Sequence, residues 1–313
     1  MRVKQLYILL VLLFPVLGSA QQQPLFTQST FNNFGINPAF AGAGECVDLK
    51  VGYRHQWTGF EGNPRTAFFN GNGKVVKKRN NRRTSFFGIG GRIFSDEAGP
   101  YNFIQLELAA AYHVKLGTNV YGSLGVFAGI IQNRFDVSGL TLTNFNDPAI
   151  SGSSASIIYP AISPGVLIYS SSFYIGFSIQ NIVNVSIPEV GLDTRTARHY
   201  IFKAAKSFRL SDRSELIPSI VTRYAYSSPM GFDVNLMYKL DKKYQLGVSY
   251  RNQTAIAALI NVKIFNMFSI GYSFDYIINN INYGTYGSHE IIVGFNTCDL
   301  DNSNSNVRCA AFD

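Results

Sequence analysis

Short segments in which apolar and polar residues alternate recur along most of the chain. Residues 172–180 are the clearest, because the odd positions from Phe173 to Ile179 are aromatic or aliphatic and those between them are Tyr, Gly and Ser. Residues 232–240, 244–251 and 268–276 repeat this pattern. A period of two places alternate side chains on opposite faces of a β-strand, so each segment predicts a strand.

The other predicted strands share this alternation in a weaker form. They are residues 47–57, 64–76, 84–95, 102–115, 119–135, 158–169, 198–209, 215–226, 254–264 and 287–296. The total of about fourteen is even, as it is in single-chain outer-membrane barrels. We therefore predict an all-β fold, namely a transmembrane outer-membrane β-barrel of antiparallel strands.

A soluble β-sandwich is the alternative that the same pattern allows, with the apolar faces packed inside. Two features favour the membrane barrel. The opposite faces are small and polar but seldom charged, which suits a lumen, and aromatic residues recur near strand ends, as in the girdles of membrane barrels. These aromatic residues are Trp57, Tyr101, Tyr169, Phe173, Tyr226, Tyr244 and Tyr276.

Composition supports a sheet protein. Charged residues make up only 15% of the 313, whereas Phe and Tyr number 25 and 18. Disordered chains have high charge and few aromatic residues, so disorder is excluded. The mean hydropathy is close to zero, which is compatible with strands that alternate between lipid and lumen.

The N-terminus has the pattern of a secretory signal peptide. Arg2 and Lys4 precede an apolar run at residues 6–17, and small residues end at Ala20, so cleavage is expected after residue 20. Removing the two basic residues lowers the formal net charge from +8 by two, to +6. We expect residues 21–46 to form an N-terminal periplasmic or plug segment, residues 47–297 the barrel, and residues 298–313 a periplasmic tail.

Connection lengths predict the orientation of the barrel. Short and long connections tend to alternate, and barrels have short periplasmic turns and longer extracellular loops. Both termini are then expected to lie in the periplasm. One long connection on the periplasmic side is strongly basic and is interpreted either as a solvated hairpin tip or as a patch for an acidic partner. Its basic residues are Lys77, Lys78, Arg79, Arg82 and Arg83.

Neither a catalytic constellation nor a cofactor or metal site is predicted. The four histidines are dispersed, and the chain has no metalloprotease, P-loop or nucleophile-elbow motif. The glycines at residues 88–91 lie inside a predicted strand and open no helix, so they do not indicate dinucleotide binding.

Three cysteines leave one thiol unpaired if a disulfide forms. Export to an oxidising compartment permits such a bridge. We expect Cys298 to pair with Cys309, which would close a small loop. The alternatives are Cys46 with Cys298, at the two ends of the closing strands, or no bridge.

Several short motifs resemble a known family. The most specific are residues 37–42 (NPAFAG), residues 53–57 (YRHQW) and the Gly, Pro and Thr positions of residues 59–66. Weaker matches occur around Asp96 and at residues 198–200 and 287–290. With these motifs, residues 24–295 resemble the PorP/SprF family of outer-membrane proteins associated with type IX secretion and gliding in Bacteroidetes.

This resemblance implies a non-enzymatic barrel whose partners are type IX secretion components, a secreted adhesin, or both, in the lipid of the outer membrane. No nucleic acid and no small-molecule substrate are expected. The alternatives are a channel for small solutes and an anchor for periplasmic ring components. Topology places several polar and aromatic residues at the extracellular rim, with residues 287–290 beside His55 and Trp57, and we hypothesise that this rim docks an exported partner. Its residues are Arg54, His55, Trp57, Phe60, Asp96, Arg198, His199 and His289.

Overall fold

A computed structural model of the protein describes residues 26–44, 46–75, 85–136, 155–186, 195–226, 228–265 and 267–297. The signal peptide, the basic turn and the tail predicted from sequence lie outside these ranges. The described strands are β1 (Asp48–His55), β2 (Arg65–Lys74), β3 (Ser85–Ala98), β4 (Tyr101–Lys115), β5 (Val120–Phe135), β6 (Ala155–Ser170), β7 (Phe173–Gln180), β8 (His199–Lys206), β9 (Phe208–Arg209), β10 (Ser214–Ala225), β11 (Gly231–Leu240), β12 (Tyr244–Arg251), β13 (Ala255–Ile264), β14 (Phe268–Ile277) and β15 (Ser288–Asn296). Two short 3₁₀ helices are η1 (Pro38–Phe40) and η2 (Asn280–Gly284).

The strands form one closed antiparallel barrel. Each strand pairs with its neighbours in the chain, and β1 pairs with β15 from Asp48–Asn296 to His55–His289. The fragments β8 and β9 both pair with β10 in a single register and are interrupted only at Ser207, so together they form one strand of the wall. The barrel therefore has fourteen strands, as the alternation predicted.

Alternation also predicted the two faces of the wall correctly. In β7 the side chains of Tyr174, Ser178 and Gln180 are buried, whereas Ile175 and Phe177 are exposed on the outer surface. In the described residues, no helix is long and apolar enough to cross a membrane. We call the end where β1 begins and β15 ends the terminal end, and the opposite end the loop end.

The wall is taller on one side than on the other. Strands β3 to β6 have 14 to 16 residues, whereas β7 and β8 have eight each. Strand β6 pairs with β7 only from Gly165 to Tyr169. Pro160 and Pro164 follow that pairing toward the loop end, and because proline has no N–H to donate, they do not continue the ladder.

The disulfide expected from sequence is wrong. Cys46 is disulfide-bonded, and since the chain has three cysteines, its partner is Cys298 or Cys309, which excludes a bridge between those two. The partner lies outside the described residues. The backbones of Val47 and Thr297 are hydrogen-bonded at 3.1 Å, which is the antiparallel pairing that the alternative Cys46–Cys298 bridge requires.

Candidate functional site

Residues 26–43, which we call the luminal segment, lie inside the barrel. Apart from η1 the segment has no helix or strand, and every residue from Thr27 to Ala43 is buried or half-buried. It begins near the loop end, where the Phe26 ring packs 4.8 Å from that of Phe68, and it reaches the terminal end before β1 begins. The first residue of β1 and the last residue of β15 thus lie at the terminal end, whereas Phe26, the first described residue, lies near the loop end. The side of the membrane on which the termini lie stays a prediction.

At the loop end, buried charges of the wall hold the segment. Arg54 in β1 pairs with Asp275 at 2.7 Å and with Glu290 at 3.1 Å. The hydroxyl of Thr27 donates to Asp275 and accepts from Arg54 at 2.7 Å. Glu290 accepts the backbone N–H groups of Thr27 and Gln28 at 2.8 and 3.1 Å. The network therefore joins the first strand, the last two strands and the segment.

A second basic residue extends this network away from the closing strands. Arg251 in β12 lies 3.5 Å from Asp275 and 3.5 Å from Asp233, and Asp233 pairs with Arg223 at 2.8 Å. The lumen here contains charges of both signs in similar number. Buried charges of this kind are tolerated because each one has an opposite charge and hydrogen bonds nearby.

In the middle of the barrel, basic side chains bind carbonyl oxygens of the segment. Lys203 in β8 is buried and donates to the carbonyl of Ser29 and to the side chain of Asn33, both at 2.5 Å. Arg92 in β3 pairs with the buried Glu107 and also donates to the carbonyl of Gly35. The N–H and C=O groups of a buried backbone need hydrogen-bond partners. Because this segment is not part of a sheet, side chains of the wall provide those hydrogen bonds.

At the terminal end, close packing replaces charge. Asn37 caps η1 by accepting from Ala39 N–H at 2.9 Å, and its amide donates to the carbonyls of Val166 and Phe177 at 3.1 and 3.3 Å. Inward-facing glycines leave room for this turn. A Cβ atom at Gly125 would lie 2.5 Å from Ala39 N.

Two further glycines at the terminal end lie where the segment and the wall are close together. A Cβ atom at Gly88 would lie 1.8 Å from the carbonyl oxygen of Ala41. Gly42 has a φ of +74°, a conformation that favours glycine, and donates to Asn72 at 3.0 Å. Gly88 and Gly90, which open no helix in the sequence, thus make space for the segment.

His113 is structural. Its Nε2 lies 2.8 Å from the carbonyl of Ala41, so it donates there, and Nδ1 accepts from the Tyr169 hydroxyl at 3.0 Å. Ser123 donates to the carbonyl of Ala39 at 2.9 Å and lies 3.5 Å from His113. Both ring nitrogens are engaged, and the imidazole is completely buried. Among the described residues, no group of three metal-ligating side chains exists.

The structure divides the docking rim predicted from sequence. His55 and His289 are register partners on the outer face, and the N–H of Trp57 donates to Ser288 at 3.0 Å. The expected proximity of residues 287–290 to His55 and Trp57 is therefore confirmed. Arg54, however, is only 1% exposed, because it faces the lumen and pairs with carboxylates there.

Three other residues of that rim lie elsewhere. Asp96 faces inward in β3 and accepts from Thr66 at 2.5 Å. Arg198 and His199 are at the start of β8, which is seven strands from β1 in both directions around the wall. Trp57 and Arg198 thus lie on opposite sides of the barrel, and a partner that contacts both stays a prediction.

Two interlocked loops cover the loop end at the closing strands. Residues 56–63 and 278–287 exchange backbone hydrogen bonds, from Thr58 to Gly287 at 2.9 Å and from Tyr286 to Thr58 at 2.8 Å. The ring of Phe60 packs on Gly284, and that of Tyr286 on Gly59. We call the aromatic residues of these loops the seam surface. They are Trp57, Phe60, Tyr283 and Tyr286.

The two tyrosines of the seam surface were not predicted from sequence. Tyr283 and Tyr286 are 96% and 83% exposed, and Phe60 is 42% exposed. The segment NINYGTYG before the last strand contains both tyrosines, spaced by glycines, and this was the available signal. Exposed tyrosines on a hydrogen-bonded loop are suited to binding another protein, since they offer apolar area with little loss of side-chain entropy.

Comparison with known proteins gives one family. The profile described as "Type IX secretion system membrane protein PorP/SprF" matches residues 18–295. No curated protein matches the chain significantly.

Solved structures resemble the chain in fold. A FadL homologue of Pseudomonas aeruginosa has 12% identity and a TM-score of 0.48, covering 89% of this chain and 95% of that one. The "TodX deltaS2S3 mutant monoaromatic hydrocarbon channel" has 10% identity and a TM-score of 0.50, covering 87% of this chain and 94% of that one. The likeness to the second structure shows a shared barrel fold.

Proposed function

Because the chain belongs to the PorP/SprF family of type IX secretion system membrane proteins, we propose that it binds a large exported adhesin-like protein and supports its secretion or surface attachment. The barrel itself is a type IX secretion protein of the outer membrane. In this proposal the lumen is not a route for cargo. The partner instead contacts the barrel at its loop end.

The filled lumen is the observation that carries this proposal. The luminal segment passes from the loop end to the terminal end, and wall side chains bind its backbone at Thr27, Ser29, Gly35, Ala39 and Ala41. A solute channel needs a continuous open path, and a segment bound at several levels of the barrel occupies part of that path. A protein partner is then left with the outer surfaces and the loops.

The seam surface is the proposed contact on the loop end. It combines exposed aromatic rings with a backbone fixed by hydrogen bonds between two loops. Aromatic residues on such a surface are frequent hot spots, and truncating one typically costs about 2 kcal/mol of binding or more. His55 and His289 flank the surface on the outer wall.

A display assay with matched tyrosine variants tests this proposal. Replacing Tyr283 and Tyr286 with Ala should leave the amount of folded barrel unchanged but lower adhesin on the cell surface by about tenfold, measured by antibody labelling of intact cells. Tyr226→Ala is the control, since Tyr226 is also 83% exposed at the loop end but lies in β10's loop, six strands from β1. Arg198→Ala probes the opposite side.

Each outcome is informative. Equal display in the Tyr283/Tyr286 variant and wild type would overturn the seam surface as the contact. A loss confined to Arg198→Ala would move the contact to the side of β8.

The channel alternative has its own measurement. The wild-type barrel in planar bilayers should show no steady conductance, whereas a variant lacking residues 26–43 should conduct if it assembles. Steady conductance of the wild type would favour the channel. The anchor alternative depends on the basic turn and the tail, which are outside the described residues. It is tested by deleting residues 298–313 and neutralising the turn. Periplasmic partners should be released only if the barrel is an anchor.

A further inference from the structure

The outer wall has an apolar cavity on the side of β10 to β14. Its volume is about 570 Å³, and most of its lining residues point away from the lumen, among them Leu236, Leu246, Val248, Ala258 and Ile260. This surface belongs to the apolar band of the barrel, where lipid chains surround the protein. The cavity is distinct from the filled lumen and from the seam surface.

A small residue, Ala258, lies in the lining of the cavity among larger side chains. In the strand register, Val248 is opposite Ala258 and Ala258 is opposite Phe274. The outward neighbours of Ala258 along its own strand are Ile256 and Ile260. Large side chains thus stand on all four sides of an alanine, and the space above its methyl group is open to the membrane.

Exposed lysines lie directly beyond this cavity at the terminal end. The turn between β11 and β12 contains Asp241, Lys242 and Lys243, and the first two have φ values of +51° and +56°, typical of a tight hairpin turn. Leu246 lines the cavity three residues from Lys243, which corresponds to roughly 10 Å along the strand. Both lysines are exposed.

The lysines keep a net positive charge. Arg213 donates two hydrogen bonds to Asp241, at 2.5 and 2.7 Å. These hydrogen bonds lower the pKa of Asp241. Both residues are therefore charged, and the net charge of the pair is zero. The ion pairs found among the described residues include neither Lys242 nor Lys243. An anionic group at this level would meet two exposed lysines, of which Lys243 also interacts electrostatically with Asp241.

We propose that this cavity is a binding site for an anionic phospholipid. One acyl chain fills the space above Ala258, and the phosphate and headgroup contact Lys242 and Lys243. The apolar lining fits a hydrocarbon chain, and the charge at the end of the cavity fits an anionic headgroup at the membrane interface. Basic residues near a membrane surface attract anionic lipids in this way.

Native mass spectrometry of the mature protein, purified from membranes and washed free of lipid in detergent, tests the site. The probe is palmitoyl-oleoyl phosphatidylglycerol, compared with the phosphatidylcholine that has the same chains. We expect one phosphatidylglycerol to be retained with about tenfold higher affinity than phosphatidylcholine, since two lysines interact with its charge. Replacing both lysines with Gln should abolish this preference.

Ala258→Leu tests the acyl-chain part of the site. A larger side chain at this point of the cavity should lower phosphatidylglycerol binding by about fivefold or more, because the acyl chain loses contacts there. Ala128→Leu is the matched control, since Ala128 is also an exposed alanine on the outer face, in β5. The folded state of each variant is checked by its heat-modifiable mobility on gels.

Two results would overturn the proposal. Equal retention of both lipids by the wild type would mean that the lysines select nothing. Equal loss in Ala258→Leu and Ala128→Leu, or loss in neither, would mean that lipids bind around the barrel without using the cavity.

Discussion

The two halves of the luminal segment are held in different ways. Residues 26–36, near the loop end, are bound by side chains of the wall, among them Arg54, Glu290, Lys203 and Arg92. Residues 37–43, near the terminal end, fit against inward-facing glycines and are capped by Asn37. The first half depends on charge, whereas the second depends on shape.

This difference has a physical consequence. Close packing of the segment against the wall depends on the absence of side chains at the wall glycines, because a Cβ atom there would displace the segment. This packing does not depend on salt. Charged contacts that are buried are strong only while every partner is present, since a remaining unpaired charge is costly. Removal of one charged side chain should therefore release the loop-end half, whereas only a change in the shape of the wall should release the terminal-end half.

Arg54→Leu should have the largest effect. It leaves Asp275 and Glu290 buried without their main partner, which costs about 3–5 kcal/mol. We expect a lower midpoint of urea unfolding in detergent and faster chymotrypsin cleavage after Phe31 and Phe34 than after Phe40. Arg134→Leu is the control, because Arg134 and Asp136 form an exposed pair at 2.9 Å, which contributes about 1 kcal/mol or less.

Equal midpoints for Arg54→Leu and Arg134→Leu would contradict the importance of charge in the first half. Cleavage that is as fast after Phe40 as after Phe31 would contradict the independence of the two halves.

Gly125→Val should have the next largest effect and should act on the other half. Its Cβ atom would lie 2.5 Å from the backbone of Ala39, so the wall or η1 must move, at a cost of about 1–3 kcal/mol. Chymotrypsin should then cleave after Phe40 first. Gly231→Val is the control, since a Cβ atom there meets only one atom, at 4.0 Å. If both variants unfold at the wild-type midpoint, close packing does not hold this half.

The sequence was sufficient for the wall and insufficient for what fills it. Alternation has a period of two, so the inward and outward faces and the fourteen strands could be read directly, as could the pairing of His55 with His289. The contact between Thr27 and Glu290 joins residues 263 positions apart and has no periodic signal. Two details were nevertheless accessible: the parity of Arg54 in β1 places it inward with Gly52, and a count of fourteen strands places β8 opposite β1.

Thr27→Val should have a moderate effect, confined to the loop-end half. It keeps the shape of the side chain and removes the hydroxyl that binds Asp275 and Arg54, at a cost of about 2 kcal/mol for hydrogen bonds to charged groups. Thr30→Val is a close control, because the Thr30 hydroxyl is buried without a hydrogen-bond partner. Unfolding midpoints that shift equally in the two variants would mean that the Thr27 hydroxyl adds nothing to the network.

Asn37→Ala should have the smallest effect of the four. It removes the cap of η1 and the donor to Val166 and Phe177, and loss of a cap of this kind costs about 1 kcal/mol. Because the glycine-lined fit around Ala39 and Ala41 remains, we expect a small shift of the urea midpoint and little new cleavage after Phe40. Asn37→Ser retains a capping oxygen but not the amide, so a midpoint between those of Ala and wild type would separate the two roles. If Asn37→Ala instead exposed Phe40 as strongly as Gly125→Val does, the terminal-end half would depend on hydrogen bonds more than on shape, and the contrast with the charged half would fail.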